Sequence, residues 1–351
     1  MLLGMDQAAS LHFPHDAPPP RGTSTEVAPG IHWVRMPLPF ALDHINLWLL
    51  EDGDSITLVD CGLGTQLTHD IWGEVLAAWL PQRPVRHIVV THFHPDHIGL
   101  AGRLAEDHGV TVSMTLGEFM AAHAIWHQLP GFDIETMARH FARHGLSATA
   151  CDALRNFGNR YRKGAPTLPQ RFDRLFDDGT LSIGGRQWRV ICGHGHAPEH
   201  ASLYCESAGV LISGDMVLPR ISTNVGVHAS SPDDDALAQF LDSLARLATL
   251  PPETLVLPSH GLPFYGLQTR IAALGKHHDE RCAELLAAID EPKSAAELMP
   301  VLFSRPLDTF QTMFAMGEAI AHLNHLLHAG KAIRAEASDG IIRFVGTHDS
   351  G

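Results

Sequence analysis

Thr91-His92-Phe93-His94-Pro95-Asp96-His97 places four potential metal ligands within six residues. The apolar run before it, His87-Ile88-Val89-Val90, reads as a buried strand. Side chains alternate along an extended segment, so His92 and His94 share one side of the chain where it leaves that strand. Asp96 and His97 come as the chain turns into a helix and approach the same volume from another direction. Neutral imidazole with carboxylate suits zinc, iron or manganese. The chain contains 25 histidines, so a histidine-rich surface loop is the competing reading. The spacing and the strand context speak against it.

On either side of this stretch, short apolar strands alternate with amphipathic helices. Gly30 to Val34, Ile45 to Leu50 and Ser55 to Asp60 read as strands, Gln66 to Leu80 as a helix, and Ile98 to His108 as another. Strands resume at Gln187 to Ile191, Ala201 to Cys205, Gly209 to Ser213 and Thr254 to Leu257, with helices over Asp234 to Leu250 and Leu267 to Ile289. This is α/β layering. Residues 118–171 change period to three and four, which predicts a helical insertion. Residues 291–351 predict two helices and a hairpin, the pattern of a small winged-helix-like domain. The expected division is a flexible N-terminal arm over residues 1–25, a main domain over 26–290 and this C-terminal domain.

Composition narrows the function. The net charge of −14 argues against a nucleic-acid partner, whose phosphates call for a basic face. The helix Thr309 to Ala329 has no Lys or Arg, so a docking or homodimer role is expected of the tail rather than the reading of DNA. No apolar run approaches the ~20 residues of a membrane helix, and no basic-then-apolar leader opens the chain. Five scattered cysteines fit reduced thiols. A cytoplasmic protein is the expectation.

Three more strand ends carry ligand-type residues. Gly193-His194-Gly195-His196 follows one strand, Ser213-Gly214-Asp215 the next, and Pro258-Ser259-His260 the last. Asp60 ends an earlier one. In layered α/β folds such tips gather at one rim.

This order of motifs resembles the metallo-β-lactamase-fold metallohydrolases, in particular glyoxalase II-like members and, through the tail, those similar to lactamase-like protein 2 with a C-terminal winged-helix domain. The resemblance spans about residues 27–289. It implies an αββα sandwich and a binuclear metal-dependent hydrolase with two divalent ions, zinc first, iron or manganese otherwise. One ion would be held by His92, His94 and His196, the other by Asp96, His97 and His260, with Asp215 bridging. The family motif favours His196 over His194. Asp60 matches the family's supporting acid, though a turn or helix-capping acid reads the same way. His200 is either an orienting or substrate-contacting residue or a structural one. Arg220 and Tyr265 are substrate-contact candidates with packing alternatives.

An acid at the Asp215 position sets the chain apart from the true β-lactamases of this fold, and favours thioesterases, lactonases, phosphodiesterases and nucleases. Asp96 is expected to orient the attacking water. A small-molecule thioester, ester or lactone is the preferred substrate class. A phosphodiesterase or single-strand RNA endonuclease is the first alternative, and a non-catalytic metal-binding interaction protein the second.

Overall fold

A computed structural model describes residues 11–80 and 82–347. The first ten residues of the expected arm and the last four of the expected C-terminal domain lie outside the described residues. The chain divides into two compact units, one of residues 1–126, 160–223 and 243–271, the other of 127–159, 224–242 and 272–351.

The first unit contains two mixed sheets. One runs in chain order through β1 (Thr25–Ala28), β2 (Ile31–Pro37), β3 (His44–Asp52), β4 (Ser55–Val59), β5 (Val85–Val89), β6 (Thr111–Thr115) and β7 (Asp173–Leu175). Its first four strands pair antiparallel, and β4 to β7 pair parallel. Parallel neighbours require crossovers. Those from β4 to β5 and from β5 to β6 are supplied by α1 (Gln66–Ala77), and by α2 (Pro95–Ile98) with α3 (Ala101–His108). The second sheet has the order β12-β11-β10-β9-β8, from β8 (Thr180–Ile183), β9 (Arg186–Gly193), β10 (His200–Cys205), β11 (Val210–Gly214) and β12 (Leu255–Pro258).

Pairing direction explains why the polar strand tips converge. β4 and β5 run parallel, so both end at the same rim, with Asp60 and Thr91 just beyond them. β11 and β12 are parallel, and β9 runs with β11 because β10 is antiparallel to each. The chain beyond β9, β11 and β12 therefore leaves at one edge, and β10 begins there at His200. A bond from the Ala201 N–H to the Thr91 carbonyl at 2.8 Å joins the two sheets at that edge.

The strands β3, β4, β10, β11 and β12 are buried on both faces over most or all of their length, so their hydrophobic runs are nearly continuous. In β3, Ile45, Leu47 and Leu49 face the helix-side core with Ile71, Trp72 and Leu104. Trp48 and Leu50 face the second sheet, against Trp188, Val190, Leu203 and Ile212. A fold of helices outside two packed sheets agrees with the expected layering.

Two expectations need correction or refinement. The arm is anchored from His12 onward: the His12 backbone pairs with Tyr265, and Phe13 packs on Phe264 with ring centroids 6.3 Å apart. These rings lose exposed apolar surface there, which composition could not foresee. The insertion over 118–171 is split. Its first helix, α4 (Leu116–His127), gives Ala121 and Ala122 to the sheet core, whereas α5 (Ile134–Arg143) and α6 (Ala148–Phe157) pack on each other in the second unit. The short α7 (Tyr161–Gly164) returns to the first unit.

The second unit also holds the C-terminal segment, α10 (Ala295–Leu302), α11 (Thr309–His328) and an antiparallel pair of β13 (Ala332–Glu336) and β14 (Ile342–Gly346). It follows α8 (Ala236–Leu247) and α9 (Leu267–Ala288) in the chain. Capping boxes start both of its helices, Ser294 with Glu297 and Asp308 with Gln311. Two helices and a hairpin occur where the sequence predicts them.

Glycine decides one close approach in the first unit. The Gly64 N–H donates to the Gly164 carbonyl at 2.6 Å, and Gly99 packs between them. A Cβ on Gly99 would collide with the carbonyl oxygens of Pro95 and Gly164 and with the Gly64 nitrogen, all backbone atoms. Gly73 in α1 has open space. We expect Gly99→Ala to destabilise by about 1–3 kcal/mol through overpacking. Gly73→Ala should be neutral or gain up to about 1 kcal/mol from helix propensity. Urea and thermal unfolding of the two variants check this.

Candidate metal centre

His92 and His94 leave β5 on the same side, as period-two alternation predicts. Their ring nitrogens face each other, His92 Nε2 to His94 Nδ1 at 2.9 Å. His196, from the loop after β9, brings its Nε2 to 3.3 Å from His92 Nε2. Asp215, just beyond β11, sets Oδ2 at 3.5 Å from His196 Nε2 and 4.0 Å from His92 Nε2. A neutral imidazole carries a single N–H, so nitrogens converging in this way cannot all be satisfied by one another.

The other Asp215 oxygen faces a second group. Oδ1 lies 3.6 Å from His97 Nε2 and 3.5 Å from His260 Nε2. Asp96 Oδ2 completes that group at 3.8 Å from His97 Nε2 and 3.6 Å from His260 Nε2. His97 Nε2 and Asp215 Oδ1 are buried and have no hydrogen-bond partner. Buried polar atoms are ordinarily paired, so these orphaned atoms identify a missing partner. Four bonds of ~2.0–2.1 Å at tetrahedral angles put ligand atoms about 3.3 Å apart, which the observed spacings bracket. Two His/Asp clusters are thus consistent with a binuclear metal site.

The electrostatics agree. Burial opposes a charge on His97, yet Asp60, Asp215 and Asp96 together hold it well above the ordinary histidine range. Burial likewise opposes ionisation of Asp215, and His260 and His97 overcome it and hold the acid well below the usual carboxylate range. Positive charge is favoured between these groups. Burial drives His92 well below its ordinary value, reinforced by His97 and His94, so its ring is a neutral donor.

The surroundings orient each ring. The His97 Nδ1–H donates to Asp60 Oδ2 at 2.7 Å, which turns Nε2 inward. Asp60 also accepts from Thr91, N–H to Oδ1 and hydroxyl to Oδ2, both at 2.8 Å. It sits at φ 62°, a left-handed conformation that Asp tolerates better than most residues. His260 Nδ1–H donates to the His44 carbonyl at 2.7 Å. Asn46 ties β3 to the His260 turn, its Nδ2 donating to the Pro258 carbonyl at 2.8 Å and to the Gly261 carbonyl at 3.0 Å.

The remaining sequence-predicted residues separate clearly. His200 Nε2 accepts the Asp215 N–H at 3.1 Å, and burial pushes its pKa down to about 3, so it is a neutral ring orienting Asp215. His194 turns away to the Pro198 carbonyl, Nδ1 to oxygen 2.7 Å, so His196 is the histidine of that loop in the cluster. Tyr265 stacks on His12 with centroids 5.8 Å apart, and the Arg220 guanidinium lies 5.6 Å from the Phe13 ring centre. The structure gives both to the N-terminal segment. His44, Asn46 and Thr91 were missed. The first two act through atoms whose partners lie more than 200 residues away, which no local pattern reveals.

A model of the metallo-beta-lactamase superfamily matches residues 41–260. The chain belongs to this superfamily. A second model, the metallo-beta-lactamase-like C-terminal domain, matches residues 282–347. The chain is similar to the crystal structure of a beta-lactamase domain protein from Burkholderia ambifaria, at 46% identity and a TM-score of 0.89, covering 96% of this chain and 98% of that one. It is 27% identical to the probable metallo-hydrolase YqjP of Bacillus subtilis (strain 168), over 89% of this chain and 96% of the relative. A hydroxyacylglutathione hydrolase of Rhodobacter capsulatus is 29% identical over 50% of this chain and 48% of its own length. Among the described residues no helix is long and apolar enough to cross a membrane.

Asp60→Asn keeps the shape and tolerates the left-handed backbone but weakens the acceptor for His97. Partners behind ligand histidines typically contribute 10–100-fold, so metal affinity is expected to fall by about that factor. Competition with a chromophoric chelator measures it. An unchanged affinity would refute the orienting role of Asp60.

Proposed function

We propose that this superfamily member is a binuclear metal-dependent hydrolase acting on an ester-type bond of a small molecule: a thioester, ester or lactone. The observation that carries this reading is the Asp215 carboxylate, with one oxygen directed at each cluster. In this reading His92, His94 and His196 hold one ion, Asp96, His97 and His260 hold the other, and Asp215 joins them. Histidine with carboxylate suits zinc first, with iron and manganese as alternatives. Such ions would supply Lewis-acid charge and lower the pKa of water, which favours hydrolysis at neutral pH.

The chain's own groups do the rest. Asp96 is 20% exposed at its side chain, against 0–2% for His97 and His260. It is the member of its cluster most open to solvent, and its second oxygen is free to orient the attacking water. His200 and Asp60 keep Asp215 and His97 in register. Similarity to a hydroxyacylglutathione hydrolase over half of the chain and the net charge of −14 support an acyl substrate over a phosphodiester or RNA. The C-terminal helices and hairpin we read as a winged-helix-like docking element.

Metal analysis and a substrate panel test the proposal. Two ions per chain are expected, with turnover of thioesters or lactones exceeding that of phosphodiesters and RNA, and loss of turnover on chelation. Asp215→Ala removes a ligand shared by both ions, so its loss should exceed the ~10–100-fold typical of supporting residues. Wild-type turnover in that variant would refute the bridging role, and preferential cleavage of RNA or phosphodiesters would overturn the substrate class.

A further inference from the structure

The three histidines of the first cluster come from two loops, His92 and His94 after β5 and His196 after β9. Glu118, in the first turn of α4, reaches both loops. Its side chain is fully buried. Oε2 accepts the Phe93 N–H at 2.8 Å, and Oε1 accepts the Glu199 N–H at 2.6 Å. Phe93 is the residue between His92 and His94, and Glu199 lies three residues beyond His196.

The link is reciprocal. The Glu199 carboxylate accepts the Gly117 N–H at 2.8 Å, and the Thr115 hydroxyl donates to the Glu199 carbonyl at 2.8 Å. On the opposite side of Phe93, the Tyr161 hydroxyl donates to its carbonyl at 2.6 Å. The residue separating two cluster histidines is thus held at both its N–H and its C=O. A buried carboxylate is costly unless its charge is compensated and its oxygens hydrogen-bonded. Here both oxygens go to backbone N–H groups of the histidine loops, and burial still outweighs those bonds and pushes the carboxyl up to about 8. The second cluster is held from behind by other groups than Glu118, Asp60 at His97 and the His44 carbonyl at His260.

We propose that Glu118 is a positioning residue for the His92–His94–His196 metal position, setting the separation of its two loops and with it the affinity of that position relative to the other. This rests on the ligand assignment proposed above. Glutamine at this position has one acceptor oxygen, so it can receive one of the two N–H groups and turns its own NH2 toward the other. The loops lose a shared anchor while the volume is conserved.

The test uses full-length protein stripped of metal and titrated with zinc or cobalt(II). Glu118→Gln is expected to lower the affinity of one ion by about 10–100-fold and leave the other unchanged, with an altered cobalt absorption spectrum at the weakened position. Combined with His260→Ala, which leaves the first position, the loss should persist. Combined with His196→Ala, which disables that position, it should vanish. Equal weakening of both ions, or a lower melting temperature of the metal-free protein with unchanged affinities, would reduce Glu118 to a general fold support and overturn the proposal. If His196→Ala and His260→Ala each retain two ions at wild-type affinity, the ligand assignment itself fails, and the positioning role falls with it. Should Glu118→Gln not fold, Tyr161→Phe removes the hydroxyl on the other side of Phe93. It is expected to produce a smaller loss at the same position, and no loss there overturns the clamp.

Discussion

One carboxylate directed at two groups of imidazoles is the constraint on which the site depends. Asp215 is almost wholly buried, yet it is surrounded by His92, His196, His97 and His260 at 3.5–4.0 Å. Its Oδ1 and the Nε2 of His97 are left without a hydrogen-bond partner. Removing so many polar groups from water is tolerated when a cation lies between them. The field inside the site has that sign already, since His97 is held toward its charged form despite full burial.

Such an arrangement has to be held open against collapse, and the supports come from outside the clusters. Each ring needs its rear nitrogen engaged to point the other one inward. Asp60 does this for His97, and a backbone carbonyl does it for His260. Thr91 lies 3.0 Å from His92 Nδ1 while also donating to Asp60. The supports therefore overlap, and a change behind one ring is transmitted to its neighbour through a shared hydroxyl or carboxylate.

Strand direction supplies the coarse geometry. Five strand ends can meet at one rim because β4 and β5 run parallel, β11 and β12 run parallel, and β9 runs with β11. Crossovers follow from this pairing, α1 from β4 to β5, α2 with α3 from β5 to β6, and α8 from β11 to β12, and α2 itself begins at Pro95, between His94 and Asp96. The metal-type motif and the start of a crossover helix are the same few residues. That is why His-x-His-x-Asp-His is compact in sequence and why Asp96 and His97 approach from a different side than His92 and His94.

Local chemistry was legible in the chain alone. Period-two alternation put His92 and His94 together, the ends of apolar runs located Asp60, His196, Asp215 and His260, and the two C-terminal helices and hairpin stood out by period. These features are encoded by neighbours in sequence. The family motif, not the spacing, separated His196 from His194, and the structure adds the reason: His194 is engaged by the Pro198 carbonyl. Tertiary structure alone decided that the arm is anchored through His12 and Phe13, that Arg220 and Tyr265 belong to that contact, and that the helical insertion divides between two units. It also decided that His44, Asn46, Glu118 and Tyr161 brace the site. Those residues act through backbone groups of distant segments, and a backbone carbonyl or N–H has no identity in sequence. Its partner becomes visible only when the chain is folded.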